Sequence, residues 1–246
     1  SLLATVRRHI PFVNAGRRLR TRVGLQLRGD QMALARVDTG SGAAPRIEQL
    51  QWLHVEQARR GEAVRRLANT GVLRDAHLCL VLAPGEYDLY QLPAPNVPDE
   101  ELRDALRWQL RGTLTYAPED AEIDFARIPT PAQGEPNAAT KATVLVVAAP
   151  RATVEQLVAP FVAADLEVGA VDIPEFAQRN LALLSPQAPS TRSGSQTSGC
   201  VAWLTFDYDA CVLTVQTGAG HPQADELCFT RRIHIPGAQG TASHAV

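Results

Sequence analysis

Two runs in this chain, Leu78-Cys79-Leu80-Val81-Leu82-Ala83 and Thr143-Val144-Leu145-Val146-Val147-Ala148-Ala149, carry no charge and leave no polar face. Each has the length of a strand and is too short for a helix. A strand that is apolar on both sides belongs inside a sheet with helices laid over it. The rest of the chain supplies such helices. Ala58 to Asn69 places Ala63, Val64, Leu67 and Ala68 on one face and stops at Gly71. Asp99 to Leu110 begins behind Pro98, carries Asp99, Glu100 and Glu101 at the positive end of its dipole, and repeats leucine at 102, 106 and 110. Arg151 to Ala164 turns Val154, Leu157, Val158 and Phe161 inward, with a kink expected at Pro160. A fourth helix is predicted over Ile173 to Leu184.

Further strands fill the gaps. Val23–Leu27 and Met32–Val37 flank Arg28-Gly29-Asp30, a hairpin signal, and Ile47–Val55 follows. Pro84-Gly85 predicts a turn that folds Leu78–Ala83 back against Tyr87–Leu92 as a second hairpin. Ala121–Ile128 alternates, Leu166–Val171 is short, and Val201–Phe206, Val212–Gln216 and Glu226–Ile233 form a late group of three. The fold class is therefore α/β. The expected organisation is a basic flexible arm over 1–22, a first lobe over 23–184, a Ser/Pro/Gly linker over 185–198 and a partial second lobe over 199–246. Both lobes open with three strands, a weak sign of internal duplication.

Charge narrows the function. The formal net charge is −2 and the pI about 6.3, against the values above 9 of basic nucleic-acid-binding domains. The arm holds Arg7, Arg8, Arg17, Arg18, Arg20 and Arg22 but only Phe12 as an aromatic, so it suits weak attraction to an anionic membrane surface better than nucleic acid. No run of 18 apolar residues exists to cross a membrane, and no apolar stretch follows the basic start as in a secretion signal. The four cysteines, at 79, 200, 211 and 228, lie in strand-like runs without CxxC spacing and read as buried, reduced thiols.

Catalytic motifs are missing. Lys141 is the only lysine and no glycine pattern precedes it, so there is no Walker A loop. Gly218-Ala219-Gly220 lacks the third glycine of a dinucleotide site, and the six histidines show no metal spacing. Asp99-Glu100-Glu101 and Glu119-Asp120 read as solvated helix caps rather than an acid/base pair. No cofactor, metal or catalytic residue is expected.

One stretch is more distinctive. Pro98-Asp99-Glu100-Glu101-Leu102-Arg103-Asp104-Ala105-Leu106-Arg107-Trp108-Gln109, followed by Tyr116-Ala117-Pro118-Glu119-Asp120-Ala121-Glu122-Ile123-Asp124-Phe125, resembles the PilM/MshI-like actin-like proteins of type IV (mannose-sensitive haemagglutinin) pilus biogenesis. Val144 to Arg151 and Asp165 to Asp172 resemble the strands that follow there. The likeness runs from about Val23 to Ile233. It implies an actin-like fold, as in FtsA, with a small α+β subdomain inserted at roughly 84–166 and a short or truncated second lobe.

The resemblance also implies positions for a nucleotide site. The first phosphate loop, Asp-x-Gly-Ser-x-x-x-Lys, falls on Gln26, Arg28 and Ala33. The second, Asp-x-Gly-Ala-x-x-Thr, falls on Thr205, Asp207 and Cys211. Asp would organise the metal, Gly would let the backbone approach phosphate, and Lys would supply charge; none is present. This degeneracy is similar to that of the GspL cytoplasmic domain, an actin-like adaptor. The implied function is a non-catalytic cytoplasmic adaptor, peripheral to the inner membrane. It would bind the cytoplasmic tail of a PilN-like single-pass protein and, as a second partner, the pilus assembly ATPase. The alternative is an actin-like ATP-binding switch. The groove for the tail is expected between Leu78–Ala83, Tyr87–Leu92 and the Asp99–Leu110 helix, lined by Tyr87, Tyr90, Arg107 and Trp108. A competing expectation packs Trp108 against Val144–Val147.

Overall fold

The computed structural model describes residues 20–40, 45–128, 143–184, 200–207, 210–217 and 227–234. Its strands are β1 (Thr21–Arg28), β2 (Gln31–Asp38), β3 (Arg46–His54), β4 (Ala76–Val81), β5 (Asp88–Pro93), β6 (Ala121–Ile128), β7 (Thr143–Pro150), β8 (Val168–Asp172), β9 (Cys200–Asp207), β10 (Ala210–Thr217) and β11 (Leu227–His234). The helices are α1 (Arg60–Asn69), α2 (Asp99–Gln109), α3 (Arg151–Val162) and α4 (Pro174–Leu184). They fall into two compact units that divide between Ile173 and Pro174.

The first unit holds two sheets. One has the order β3-β2-β1-β4-β8. Its β1–β2 and β2–β3 pairs are antiparallel, whereas β1–β4 and β4–β8 are parallel. A parallel pair needs a crossover, and α1 supplies the one between β3 and β4. Its inner face carries Val23, Leu25, Leu27, Met32, Leu34, Leu78, Leu80, Val168 and Val171, all buried. Gly71, at φ +79°, ends the turn after α1 as the sequence predicts. On the opposite face the apolar residues are only partly covered. Cys79 and Val81 are half-buried, Leu50 and Trp52 on the edge strand are exposed, and a Cβ added at Gly24 would meet no atom within 4 Å.

The second sheet has the order β5-β7-β6. Helix α2 buries Leu102, Leu106 and Leu110 against Ala121, Ile123, Val144, Val146 and Ala148. The turn at Pro84-Gly85 does not make a hairpin. Strands β4 and β5 lie in different sheets, because β4 is already flanked by β1 and β8 and has no free edge.

The insertion is narrower than 84–166. Its sheet ends at Pro150, where β7 runs straight into α3, and α3 packs against α1 and β8 of the first sheet. The junction is held by Arg151. Its Nε lies 3.2 Å from the buried Glu122 carboxylate, and its Nη2 donates to the Glu119 carbonyl at 2.8 Å. Pro160 sits in the last turn of α3, where it cannot donate the i→i−4 bond to the Gln156 carbonyl, and the helix stops two residues later.

The second unit is an antiparallel sheet, β11-β10-β9, with α4 against β10 and β9. This helix was expected in the first lobe. Polar ties place it here instead: Arg232 meets the fully buried Glu175 carboxylate at 2.7 Å, Gln178 donates to the Val212 carbonyl, and Gln216 donates to the Arg179 carbonyl. Residues 1–19 and the expected linker lie outside the described residues.

The cysteines are not uniformly buried. Cys211 is buried, Cys79 and Cys228 are intermediate, and Cys200 is exposed. Burial, reinforced by Asp172 and opposed by Arg22, pushes the Cys79 thiol up to about 11.

Two outcomes follow from this packing. Leu106→Ala opens a cavity under α2 and should lower unfolding free energy by about 3 kcal/mol in urea titrations, whereas Trp108→Ala on the same helix should cost about 0.5 kcal/mol. At pH 8 only about one Cys79 in a thousand is thiolate. Alkylation followed by peptide mass spectrometry should therefore label Cys200 well ahead of Cys79, and the Cys79 rate should rise about tenfold per pH unit. Equal labelling of the two would contradict the assignment.

Candidate functional site

The first phosphate-loop positions sit in the β1–β2 hairpin. Gln26 pairs with Ala33 on β2 and with Val81 on β4, so both lie in the middle of the sheet. Arg28 closes β1 opposite Gln31, and the turn is the two residues Gly29 and Asp30, with Gly29 at φ +51°. The turn is pinned from outside. Val55 N–H donates to the Asp30 carbonyl at 2.8 Å, Gln57 N–H to the Asp30 carboxylate at 3.3 Å, and Arg60 to the Gly29 carbonyl at 2.7 Å. These contacts spend turn acceptors and the Asp30 side chain on structure. An amide, a guanidinium and a methyl group stand where the resemblance expects carboxylate, bare backbone and ammonium.

The second set lies in the β9–β10 hairpin. Thr205 is exposed on β9 opposite Val212, and Asp207 ends β9 opposite Ala210. Cys211 is buried in β10 opposite Phe206, so its thiol offers no accessible ligand there. Among the described residues no group of three or more His, Cys, Asp and Glu side chains could hold a metal.

The groove residues do not form one surface. Tyr87 is buried and presents nothing to a partner, which corrects its assignment. Tyr90 is half-buried against the leucine core of α2, beside Tyr116. Burial, with the Asp88 carboxylate nearby, raises both phenols above the ordinary tyrosine value, so both stay neutral. Trp108 is 69% exposed, and the expected packing on Val144–Val147 fails because Leu102, Leu106 and Leu110 occupy that face.

Around Trp108 the outer side of α2 is charged. Arg107 meets Asp104 at 2.6 Å and Arg103 meets Asp124 at 3.3 Å. Arg111, just past the helix, stacks its guanidinium 4.8 Å from the Trp108 ring centroid. The sequence reading missed Arg111, although its i+3 spacing from Trp108 was a usable signal. Of the basic arm, Arg20 and Arg22 are exposed at the start of β1, while Arg7, Arg8, Arg17 and Arg18 lie outside the described residues.

Comparison with known proteins places the chain. No curated protein matches it by sequence. Its fold is similar to that of the chain matched in the "PilM-PilN type IV pilus biogenesis complex", with TM-score 0.64 and 18% identity over 87% of this chain and 61% of that one. It is also similar to the cytoplasmic domain of EpsL, an inner membrane component of the type II secretion system of Vibrio cholerae. There the TM-score is 0.53 and the identity 12%, over 87% of this chain and 71% of that domain. Both are likenesses of fold, and this chain spans less than two thirds of the length of the first. The family model for type IV pilus assembly protein PilM matches residues 88–244, well over half of the chain. The chain belongs to the PilM family of type IV pilus assembly proteins.

Proposed function

We propose that this protein is a non-catalytic adaptor of the pilus assembly platform, binding the cytoplasmic tail of a PilN-like membrane protein. The observation that carries this reading is its membership of the PilM family, joined to a fold shared with a protein solved as a PilM-PilN complex. The reading includes an actin-like arrangement, a cytoplasmic location peripheral to the inner membrane, and the assembly ATPase as a second partner. Likeness to the EpsL cytoplasmic domain supports the location. No helix among the described residues is long and apolar enough to cross a membrane. The arginine arm would add a weak, salt-sensitive attraction to anionic lipid, at about 1 kcal/mol per arginine near the surface.

Adaptor function without nucleotide chemistry fits the hairpins. Binding Mg-ATP in the β1–β2 turn needs a carboxylate for the metal and an open backbone for phosphate. Gln26 is neutral, Arg28 fills the glycine position, and Ala33 carries no charge.

Calorimetry with two titrants tests the proposal. A synthetic peptide of the PilN-like tail should bind the intact chain with a dissociation constant below about 100 μM, equivalent to about 5.5 kcal/mol. Mg-ATP should give no heat in the same range. Micromolar Mg-ATP binding, with no binding of the tail, would replace the adaptor by a nucleotide switch.

A further inference from the structure

Strand β3 is an open edge. It ends the order β3-β2-β1-β4-β8, and among the described residues no strand lies on its outer side. Val55 N–H, one step past β3, donates toward β2, to the Asp30 carbonyl at 2.8 Å. Strand amides alternate in direction, so those of Leu53, Gln51 and Gln49 also point at β2, and those of Leu50, Trp52 and His54 point away from the sheet. Native sheets protect such an edge with charge, proline or a very short strand. Here β3 has nine residues, and Gln49-Leu50-Gln51-Trp52-Leu53 carries neither charge nor proline. Leu50 is 49% exposed and Trp52 68% exposed, on one face of the strand. A register shift between Arg36 and Val37 falls at Glu48 and leaves residues 49–53 in regular pairing with β2.

We propose that β3 pairs antiparallel with β3 of a second copy of this chain, about a two-fold axis through Gln51. The sequence is complementary to its own reverse around that residue. Leu50 of each copy stands opposite Trp52 of the other, as a hydrogen-bonded pair that exchanges the outward N–H and C=O groups of both residues. Gln51 faces Gln51 as a non-hydrogen-bonded pair, and Gln49 faces Leu53. Charge agrees at both ends, where Arg46 and Glu48 of one copy run opposite Glu56 and His54 of the other. The Arg46 and Glu56 side chains are 76% and 62% exposed, and their ion pairs within the chain are long, 3.9 Å to Glu48 and 3.7 Å to Arg59, so little holds them back. A two-fold centred on Leu50 would set Trp52 against Glu48, and one centred on Trp52 would set Leu50 against His54. The contact is isologous and joins two five-stranded sheets into one continuous sheet. It sets two first units side by side and stands independently of the adaptor reading.

Sedimentation velocity on the full chain, from about 5 to about 500 μM, tests the pairing; a short strand contact belongs to the weak, transient size class, so dimer should appear toward the upper end. Trp52→Glu places a charge against Leu50, and Leu50→Pro removes an edge N–H that no bond to β2 uses. Each should weaken dimerisation by about 10-fold or more while the circular dichroism spectrum stays unchanged. Gln51→Cys reads the register, because the two Cα atoms of a non-hydrogen-bonded pair are about 4.5 Å apart, within disulfide reach. Oxidation of this variant should give a covalent dimer whose linked peptides, read by mass spectrometry, join position 51 to position 51. A chain that stays monomeric throughout overturns the proposal, and so does a dimer that both edge variants retain. A covalent dimer linked through Cys200, with no link between the two positions 51, overturns it as well. If the chain stays monomeric but sediments with phosphatidylglycerol vesicles, and Trp52→Glu abolishes this, the edge is a lipid contact and the pairing is overturned.

Discussion

Burial of three leucines one helical turn apart decides which way the insertion helix faces. Leu102, Leu106 and Leu110 are each at most 1% exposed, and they fill the space over β6 and β7. Their burial contributes on the order of 2 kcal/mol each. Nothing else on α2 is apolar and covered to the same degree, so the helix has one stable rotation. That rotation turns Arg107 partly and Trp108 fully outward and brings Arg111 against the indole. The surface that this account treats as functional is therefore the far side of a packing interaction. Loosening the leucine core would disorder it without any change to the surface residues.

The insertion is in turn tied to the first sheet by continuity of the chain. Strand β7 passes into α3 without a loop, and Arg151 at that junction holds a carboxylate that is nearly inaccessible to water. Removing the arginine would leave Glu122 buried and uncompensated, a costly change. A rigid link of this kind suits a protein that holds a partner in a set orientation. The β1–β2 turn is also braced, by Val55, Gln57 and Arg60. Its acceptors are occupied within the protein.

Much of the fold was legible because period and punctuation agree. The i, i+4 leucines, the glycine after α1 and the hairpin signal at Arg28-Gly29-Asp30 each point to one local structure, and each is found, with Arg28 drawn into β1 and the turn shortened to Gly29-Asp30. What failed depended on long-range partners. Pro84-Gly85 looks like a hairpin turn, but no local signal says that β4 is already paired on both edges. Helix α4 reads the same whichever sheet it covers, and long-range ties such as Glu175 with Arg232, 57 residues apart in the chain, reveal the choice. The continuous apolar run at 78–83 predicts cover on both faces, yet one face of β4 is only half-covered among the described residues. At the candidate site, Tyr87 was expected in the groove and is buried, whereas Trp108, expected either in the groove or against Val144–Val147, is exposed. An aromatic residue beside a turn carries no mark of whether it points into the core.

Hydrogen exchange read by mass spectrometry, on the intact chain with and without the PilN-like tail peptide and with and without Mg-ATP, tests the central claim most directly. The account predicts slower exchange over residues 103–113 when the tail is added, and no change over residues 21–34 with Mg-ATP. Protection of 21–34 by Mg-ATP, with 103–113 unaffected by the tail, would contradict it.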